Sequence, residues 1–279
     1  MTNFTDEVFN KDIMQVLKEL PDKSVDMIYS DPDYNVGIKY NNKTYTKKFT
    51  EYIDWYVELA AESIRVLKDD GNMFFINYPK QNAYLWVKYL DNACYNVHEY
   101  IWVYNTNVGH SPKKFTTAHR TILHCTKTKN NKWFKDAVAE NYLNPNDKRI
   151  KQNIINGSKG RMPYSWFYYN LVKNVSKDKT MHACQIPTQL TEKLLKASTK
   201  AGDLILIHFG GSGNEILLAK KSGRHYVSAE IDIIYYKMIL ERLKTSNAGL
   251  ITDYEIPDKY KLKLNKKKDK KSKDLTLFS

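Results

Sequence analysis

The chain has 279 residues, of which 42% are hydrophobic, and carries 44 Lys and Arg against 31 Asp and Glu, a formal net charge of +13. That length supports one large α/β domain, or a domain with a small insertion, and the apolar fraction supports a real core. No stretch has the length of a membrane span, and Met1 to Asp6 does not read as a signal peptide, which excludes an integral membrane or exported protein as the first reading.

The cationic excess, with 21 tyrosines and 5 tryptophans, favours a polyanion partner, and nucleic acid is the first candidate. Cys94, Cys125 and Cys184 show no C-x-x-C spacing, which argues against a zinc site or a disulfide framework and fits a reducing cytoplasm. The seven histidines show no ligand spacing either, so no metal is expected.

In chain order, Ile13, Val16, Leu17 and Leu20 mark a helical face that Pro21 ends. Val25 to Tyr29 is an apolar run, read as a buried strand. It leads into Ser30-Asp31-Pro32-Asp33-Tyr34-Asn35. Asp31 can accept a hydrogen bond, Pro32 has a carbonyl without a competing N–H, and Tyr34 offers a flat ring. These groups suit a planar nucleobase with an exocyclic amino group. Two acceptors pulling on its N–H bonds free a lone pair otherwise conjugated into the ring. The plain alternative is a strand ending in a turn, which Asp and Pro also favour.

Residues 36–49 are polar and rich in Tyr, Asn and Lys, a loop placed to close over a site. A helix follows from Thr50 to about Leu67, ended by Asp70-Gly71-Asn72. Met73 to Ile76 reads as a second strand, Gln81 to Leu90 as a helix, and Val97 to Tyr104 and Thr121 to Cys125 as further strands. This is the alternation of an open α/β sheet.

Between 127 and 179 the alternation stops. Basic residues (among them Arg149, Lys159 and Arg161) mix with Trp133, Tyr142, Tyr164, Trp166 and Phe167, so the segment reads as an insertion carrying base and phosphate contacts. Lys113, Lys114 and Arg120 are added as expected DNA contacts. The bland reading is a subdomain whose aromatic residues are core, Trp166 and Phe167 first among them.

A helix after Pro187, a strand from Asp203 to Ile207, the turn Phe209-Gly210-Gly211-Ser212-Gly213, a helix, a strand from Tyr226 to Glu230 and a helix from Tyr235 to Leu243 complete the pattern. Lysine dominates from Pro257 to Lys273, which reads as a disordered tail. Strand, glycine turn and helix make a nucleotide-cofactor signature, with Glu230 at the next strand end to bind ribose hydroxyls. The third glycine of a dinucleotide fingerprint is missing, so a nucleoside cofactor such as S-adenosylmethionine fits better than a pyrophosphate.

These motifs resemble the DNA amino-methyltransferases of bacterial modification systems, in the beta arrangement where the catalytic motif precedes the cofactor motif. Asp31-Pro32-Asp33-Tyr34-Asn35 resembles the family's D-P-P-Y-N, and Phe209-Gly210-Gly211-Ser212-Gly213 matches its F-x-G-S-G. His182 to Pro187 resembles its H-P-x-Q-x-P element, and Asp12 with Ile13 its early acidic position at the cofactor adenine. The likeness covers about Val8 to Leu243.

The resemblance implies an open, doubly wound, Rossmann-like methyltransferase sheet with circularly permuted motif order and an inserted target-recognition region. It divides the chain into a catalytic half (1–126), the recognition insertion (127–179), a cofactor half (180–256) and the tail (257–279). It implies S-adenosylmethionine held by Asp12, Ile13, Asp31, Gln185, Phe209, Gly210, Gly211, Ser212, Gly213 and Glu230. Asp31, Pro32 and Tyr34 are then catalytic, acting on a base flipped from duplex DNA. Adenine N6 is the preferred target because members with Asp first in the motif usually act there; cytosine N4 is the alternative. A homodimer and a cognate restriction endonuclease are the further partners it admits.

Three departures stand out. Asp33 replaces the second proline and adds a carboxylate whose repulsion can raise a neighbouring pKa. Ile207 and His208 replace the usual Asp-Pro, and Ile186 a frequent lysine. These changes leave a catalytically weak DNA-binding relic as a further reading. An RNA methyltransferase and a nicotinamide-dependent oxidoreductase are the others. The oxidoreductase would leave Asp31 to Tyr34 unexplained.

Overall fold

The apolar runs become neighbouring strands of one sheet. A computed structural model describes residues 4–40, 43–105, 112–172, 180, 182 and 184–245. In spatial order the strands are β1 (Glu7–Phe9), β8 (His225–Ala229), β7 (Leu204–Ile207), β2 (Val25–Ser30), β3 (Leu67–Asn77), β5 (His119–Thr126), β4 (Asn96–Val103) and β6 (Trp166–Tyr168). β5 runs antiparallel to β3 and β4; every other pairing is parallel.

Helices cover both faces. Val25 and Ile28 of β2, with Met73 and Phe75 of β3, pack against α1 (Ile13–Glu19) and α2 (Phe49–Val66). Met27 and Tyr29, with Phe74 and Ile76, face the other way, toward α6 (Thr188–Ser198), α7 (Asn214–Lys221) and Ile239 of α8 (Ile233–Thr245). Burial of such a side chain contributes about 1.5–3 kcal/mol. A strand covered on both faces gains this at every position, which is why Met73 to Ile76 is continuously apolar rather than alternating.

The chain winds outward from β2 toward β3 and, on the other side, from β7 toward β8 and β1. Between β2 and β7 the winding direction changes, and in such sheets the crevice at the carboxyl ends of those two strands is where ligands bind. Asp31 leaves one of them and Phe209-Gly210-Gly211 the other.

Two boundaries differ from the sequence reading. The helix stops at Val66, and Asp70-Gly71-Asn72 lies inside β3, where the register against β2 jumps from Val25↔Leu67 to Met27↔Asn72. The cause is Asp26, a buried carboxylate that accepts from Lys68 Nζ at 2.8 Å, Lys132 Nζ at 2.6 Å and Leu204 N at 3.0 Å. The bulge carries the chain around it, with Gly71 so near that a Cβ there would lie 2.9 Å from the Asp26 carbonyl. The helix expected at Gln81 to Leu90 is α3 (Pro79–Leu85), a π-helical turn (Trp86–Leu90) and α4 (Asp91–Ala93).

The segment 127–179 is partly sheet. β6 pairs with β4, and Phe134 N bonds to Ala197 O at 2.7 Å, so both ends of the segment belong to the main body. What projects is the stretch closed by the Glu140–Arg161 bridge, carrying α5 (Lys148–Ile155), none of whose residues is buried. Of the two expected core aromatics there, Phe167 is buried and Trp166 exposed. No described helix is long and apolar enough to cross a membrane. The lysine-rich stretch falls outside the described residues.

Candidate active site

Pro32 lacks the N–H that would continue β2, so the strand gives way to the turn that holds Asp31 to Asn35. Asp31 faces the crevice, and the Tyr34 hydroxyl donates to its Oδ1. The Tyr34 backbone is fixed by Gln81, whose Nε2 donates to its carbonyl at 2.7 Å. The Asp33 carbonyl accepts from the Tyr52 hydroxyl at 2.8 Å, and Asn77 Nδ2 donates to that same hydroxyl at 2.8 Å. Asn35 adopts φ +58°, which asparagine tolerates well. Its side chain exchanges two hydrogen bonds with the Lys47 backbone, at 2.6 and 3.1 Å, closing the base of the loop.

The expectation that Tyr34 presents an open ring face is not met in this structure. The ring is 1% exposed, with the Arg120 guanidinium 4.4 Å from its centre and Tyr78 edge-on at 5.4 Å. A base can stack on it only after those neighbours shift. The rings that line the crevice are Tyr40 and Tyr45 from the loop, Tyr52 and Trp55 from α2, Phe209 after β7, Tyr235 from α8 and the imidazole of His182.

Burial pushes the Asp31 carboxyl up to about 7, against the Tyr34 hydrogen bond and the Arg120 charge, which both lower it. Asp33 adds only a smaller push, so desolvation, not carboxylate repulsion, is the main cause. On α7, burial raises Glu215 to about 8. His208, in the position of the family's proline, is fully buried beside Ser63 and its pKa falls to about 3, so it stays neutral.

The glycine turn Phe209 to Gly213 lies between β7 and α7. Gly211 (φ +51°) and Gly213 (φ +77°) take left-handed conformations, and Gly213 precedes α7 as its cap. A Cβ on Gly211 would lie 3.3 Å from the His182 ring. Gly210 packs on Ile239, and the carbonyl of buried Ser212 is held by Arg242. Glu230 accepts from Gly211 N and Asp232 N, both at 2.8 Å, and burial raises its pKa. Asp12 caps α1, accepting from Met14 N at 2.8 Å, and also reaches the crevice.

Of the expected cofactor residues, Asp12, Asp31, Phe209, Gly211 and Glu230 line one cavity, with an open volume of about 880 Å³ that includes its mouth. Gly210, Ser212 and Gly213 shape the turn behind it. Ile13 is a core residue, and Gln185 is buried against Thr180.

The cavity wall carries the carboxylates of Asp12, Asp31, Asp33, Glu230 and Asp232 and the single ammonium of Lys47. It therefore favours hydroxyls and positive charge over a pyrophosphate, and the residues present fit a cationic nucleoside such as S-adenosylmethionine.

Arg120 is the clearest correction. The sequence places it at a DNA phosphate, but it is 6% exposed, packed against the Tyr34 ring, with its Nη1 donating to the Tyr104 hydroxyl at 2.5 Å. Arg161 is turned onto Glu140 at 2.7 Å and over the Tyr164 ring at 4.2 Å. Lys113, Lys114, Arg149 and Lys159 are exposed. Sequence reasoning missed the lining roles of Tyr52, Trp55, Asp232 and Tyr235. Tyr52 and Trp55 fit a core-facing helical stripe, and nothing in their spacing marks them as ligand-facing.

An open, mostly parallel sheet with a glycine turn and a strand-end carboxylate sharing one crevice is a Rossmann-like arrangement, with its ligand crevice at the strand ends. The family model N6_N4_Mtase, described as DNA methylase, matches residues 25–241, and the chain belongs to that family. It is 28% identical over 242 residues to the type II methyltransferase M.BglII of Bacillus subtilis, a match spanning 82% of this chain and 66% of the relative. It is 27% identical over 249 residues to the DNA adenine methyltransferase YhdJ of Escherichia coli K12, spanning 86% and 83%. In fold it is similar to the PvuII DNA methyltransferase (cytosine-N4-specific), with a TM-score of 0.64 at 18% identity over 92% of this chain and 90% of that one. It is likewise similar to M1.HpyAVI in a complex with SAM, with a TM-score of 0.56 at 20% identity over 85% and 98%.

Proposed function

We propose that this chain transfers a methyl group from S-adenosylmethionine to the N6 amino group of adenine in duplex DNA. The observation that carries the reading is the meeting of Asp31, at the end of β2, with Gly211 and Glu230 in one crevice. When bound there, S-adenosylmethionine supplies an activated methyl group on a sulfonium. Asp12 and Glu230 bind its hydroxyls and adenine edge, and Gly211 allows its close approach.

Asp31 and the Pro32 carbonyl accept the two amino hydrogens of the target base. The carboxylate stabilises the positive charge that builds on the amino nitrogen as that nitrogen attacks the methyl carbon, and so lowers the barrier; one amino proton is then lost to water. Tyr34 orients Asp31 through its hydroxyl. Extruding the base costs a few kcal/mol, which contacts in the pocket offset. Tyr40 and Tyr45, on the loop that Asn35 clasps, help exclude water. Exposed Lys113, Lys114, Arg149 and Lys159 contact DNA phosphates, with α5 and its flanks as the recognition segment.

Adenine is preferred to cytosine because the motif begins with Asp31 and because YhdJ is named an adenine methyltransferase. The PvuII enzyme, named for cytosine N4, keeps the second target in view. Incubating the protein with labelled S-adenosylmethionine and mixed-sequence duplex DNA, then separating the nucleosides, decides between them. Label in N6-methyladenine supports the proposal; label only in N4-methylcytosine overturns the base assignment.

A further inference from the structure

We propose that Arg120 is a positioning residue of this site: a buried cation that lies over the Tyr34 ring and supplies the counter-charge for the Asp31 carboxylate. Its guanidinium is enclosed by aromatic rings, with the centres of Tyr78, Tyr34, Tyr104 and Trp102 at 4.2, 4.4, 5.4 and 5.9 Å. Its Nε is buried with no hydrogen-bond partner among the described residues.

A guanidinium does not lose its proton, so a buried one needs negative charge close by. Ring faces provide part of that. Asp31 provides the rest, reached through the Tyr34 side chain, which contacts Arg120 by its face and Asp31 by its hydroxyl.

Among the described residues, the other groups facing Asp31 either push it toward neutrality or carry no charge. They are Asp33, Glu215, and the hydroxyls of Tyr29, Tyr34, Tyr40, Tyr52 and Tyr56, with the Cys184 thiol beside Tyr34 and Tyr40. Arg120 is the group in this set that favours the anion, acting in addition to the Tyr34 hydrogen bond. With Arg120 in place the Asp31 carboxyl titrates near 7 rather than higher, so a large fraction is ionised at neutral pH.

The inference rests on Asp31 being the amino-group acceptor, but its test does not depend on turnover. The Asp31 carboxyl is titrated by carbon-13 NMR in the protein without cofactor, with Asp31→Asn to assign the signal. Arg120→Met, or Arg120→Gln if the first does not fold, is expected to move the titration upward by a pH unit or more, whereas Arg120→Lys stays near wild type. Methyl transfer by the charge-removing variant should fall at least about fivefold at pH 7 and recover toward pH 9. Tyr78→Leu, which removes a ring but no charge, should leave the titration in place.

An unmoved titration in the charge-removing variant, an equal loss of activity at every pH, or an equal shift in Tyr78→Leu would each overturn the proposal. Absence of methyl transfer by the wild type would overturn the methylation reading while leaving the NMR comparison valid.

Discussion

Lowering the pH should switch off methyl transfer by protonating Asp31. Desolvation holds this carboxyl at about 7, far above the range of an exposed aspartate. The acceptor must be ionised to draw on the amino hydrogens, so the rate follows the carboxylate fraction and rises with pH. With a group titrating near 7, the reactive fraction is about one-tenth at pH 6 and about one-hundredth at pH 5. Glu215, held near 8 by its own burial, is the neighbouring carboxyl that could add a second limb. The assay is single-turnover methyl transfer with DNA and cofactor saturating, from pH 5.5 to 9, on wild type, Asp31→Asn and Glu215→Gln. The expected profile has unit slope below a midpoint near 7, persists in Glu215→Gln, and vanishes with the activity in Asp31→Asn. A wild-type rate that is constant between pH 5.5 and 8 would refute the assignment of Asp31 as an ionised acceptor.

Other consequences follow from the same geometry. Gly211→Ala puts a Cβ at φ +51° and 3.3 Å from His182, so cofactor affinity measured by calorimetry should fall by about 5- to 30-fold, from a left-handed penalty of about 1–2 kcal/mol, with the fold intact. Lys132→Met removes one of the two lysines that neutralise buried Asp26. Because Lys68 remains, the loss should be about 2 kcal/mol, below the cost of orphaning a buried charge outright, and urea unfolding reads it as a lower midpoint at unchanged slope. Arg149→Ala and Lys159→Ala should each lower the salt dependence of DNA binding by about one counterion, whereas Arg161→Ala, engaged with Glu140, should act mainly on stability.

Much of this site was legible in the chain because its chemistry is local in sequence. Asp31-Pro32 must follow a buried strand, and Gly211-Ser212-Gly213 must join a strand to a helix, so each motif could be placed on its element without a structure. What brings them together is not local: β2 and β7 are separated by most of the chain, and only the sheet order sets their ends side by side. Arg120 shows a second limit. An arginine just before an apolar strand in a basic protein reads as a surface cation, and the rings that bury it come from Tyr34, Tyr78, Trp102 and Tyr104 on separate segments. Tyr34 was misjudged in the same way. Its residue type suggests a stacking face, but its exposure depends on Arg120. Asp70-Gly71-Asn72 reads as a helix stop by composition, and only the buried charge of Asp26 explains why it is a bulge in β3 instead.

The central claim is that the Asp31 strand end and the Gly211 turn form one methyl-transfer site. Its most direct test is transfer of labelled methyl from S-adenosylmethionine to duplex DNA by wild type and Asp31→Asn, with cofactor and DNA binding measured alongside. The account predicts N6-methyladenine from the wild type and none from Asp31→Asn, with both binding affinities largely retained. An Asp31→Asn variant that keeps most of the activity would contradict it.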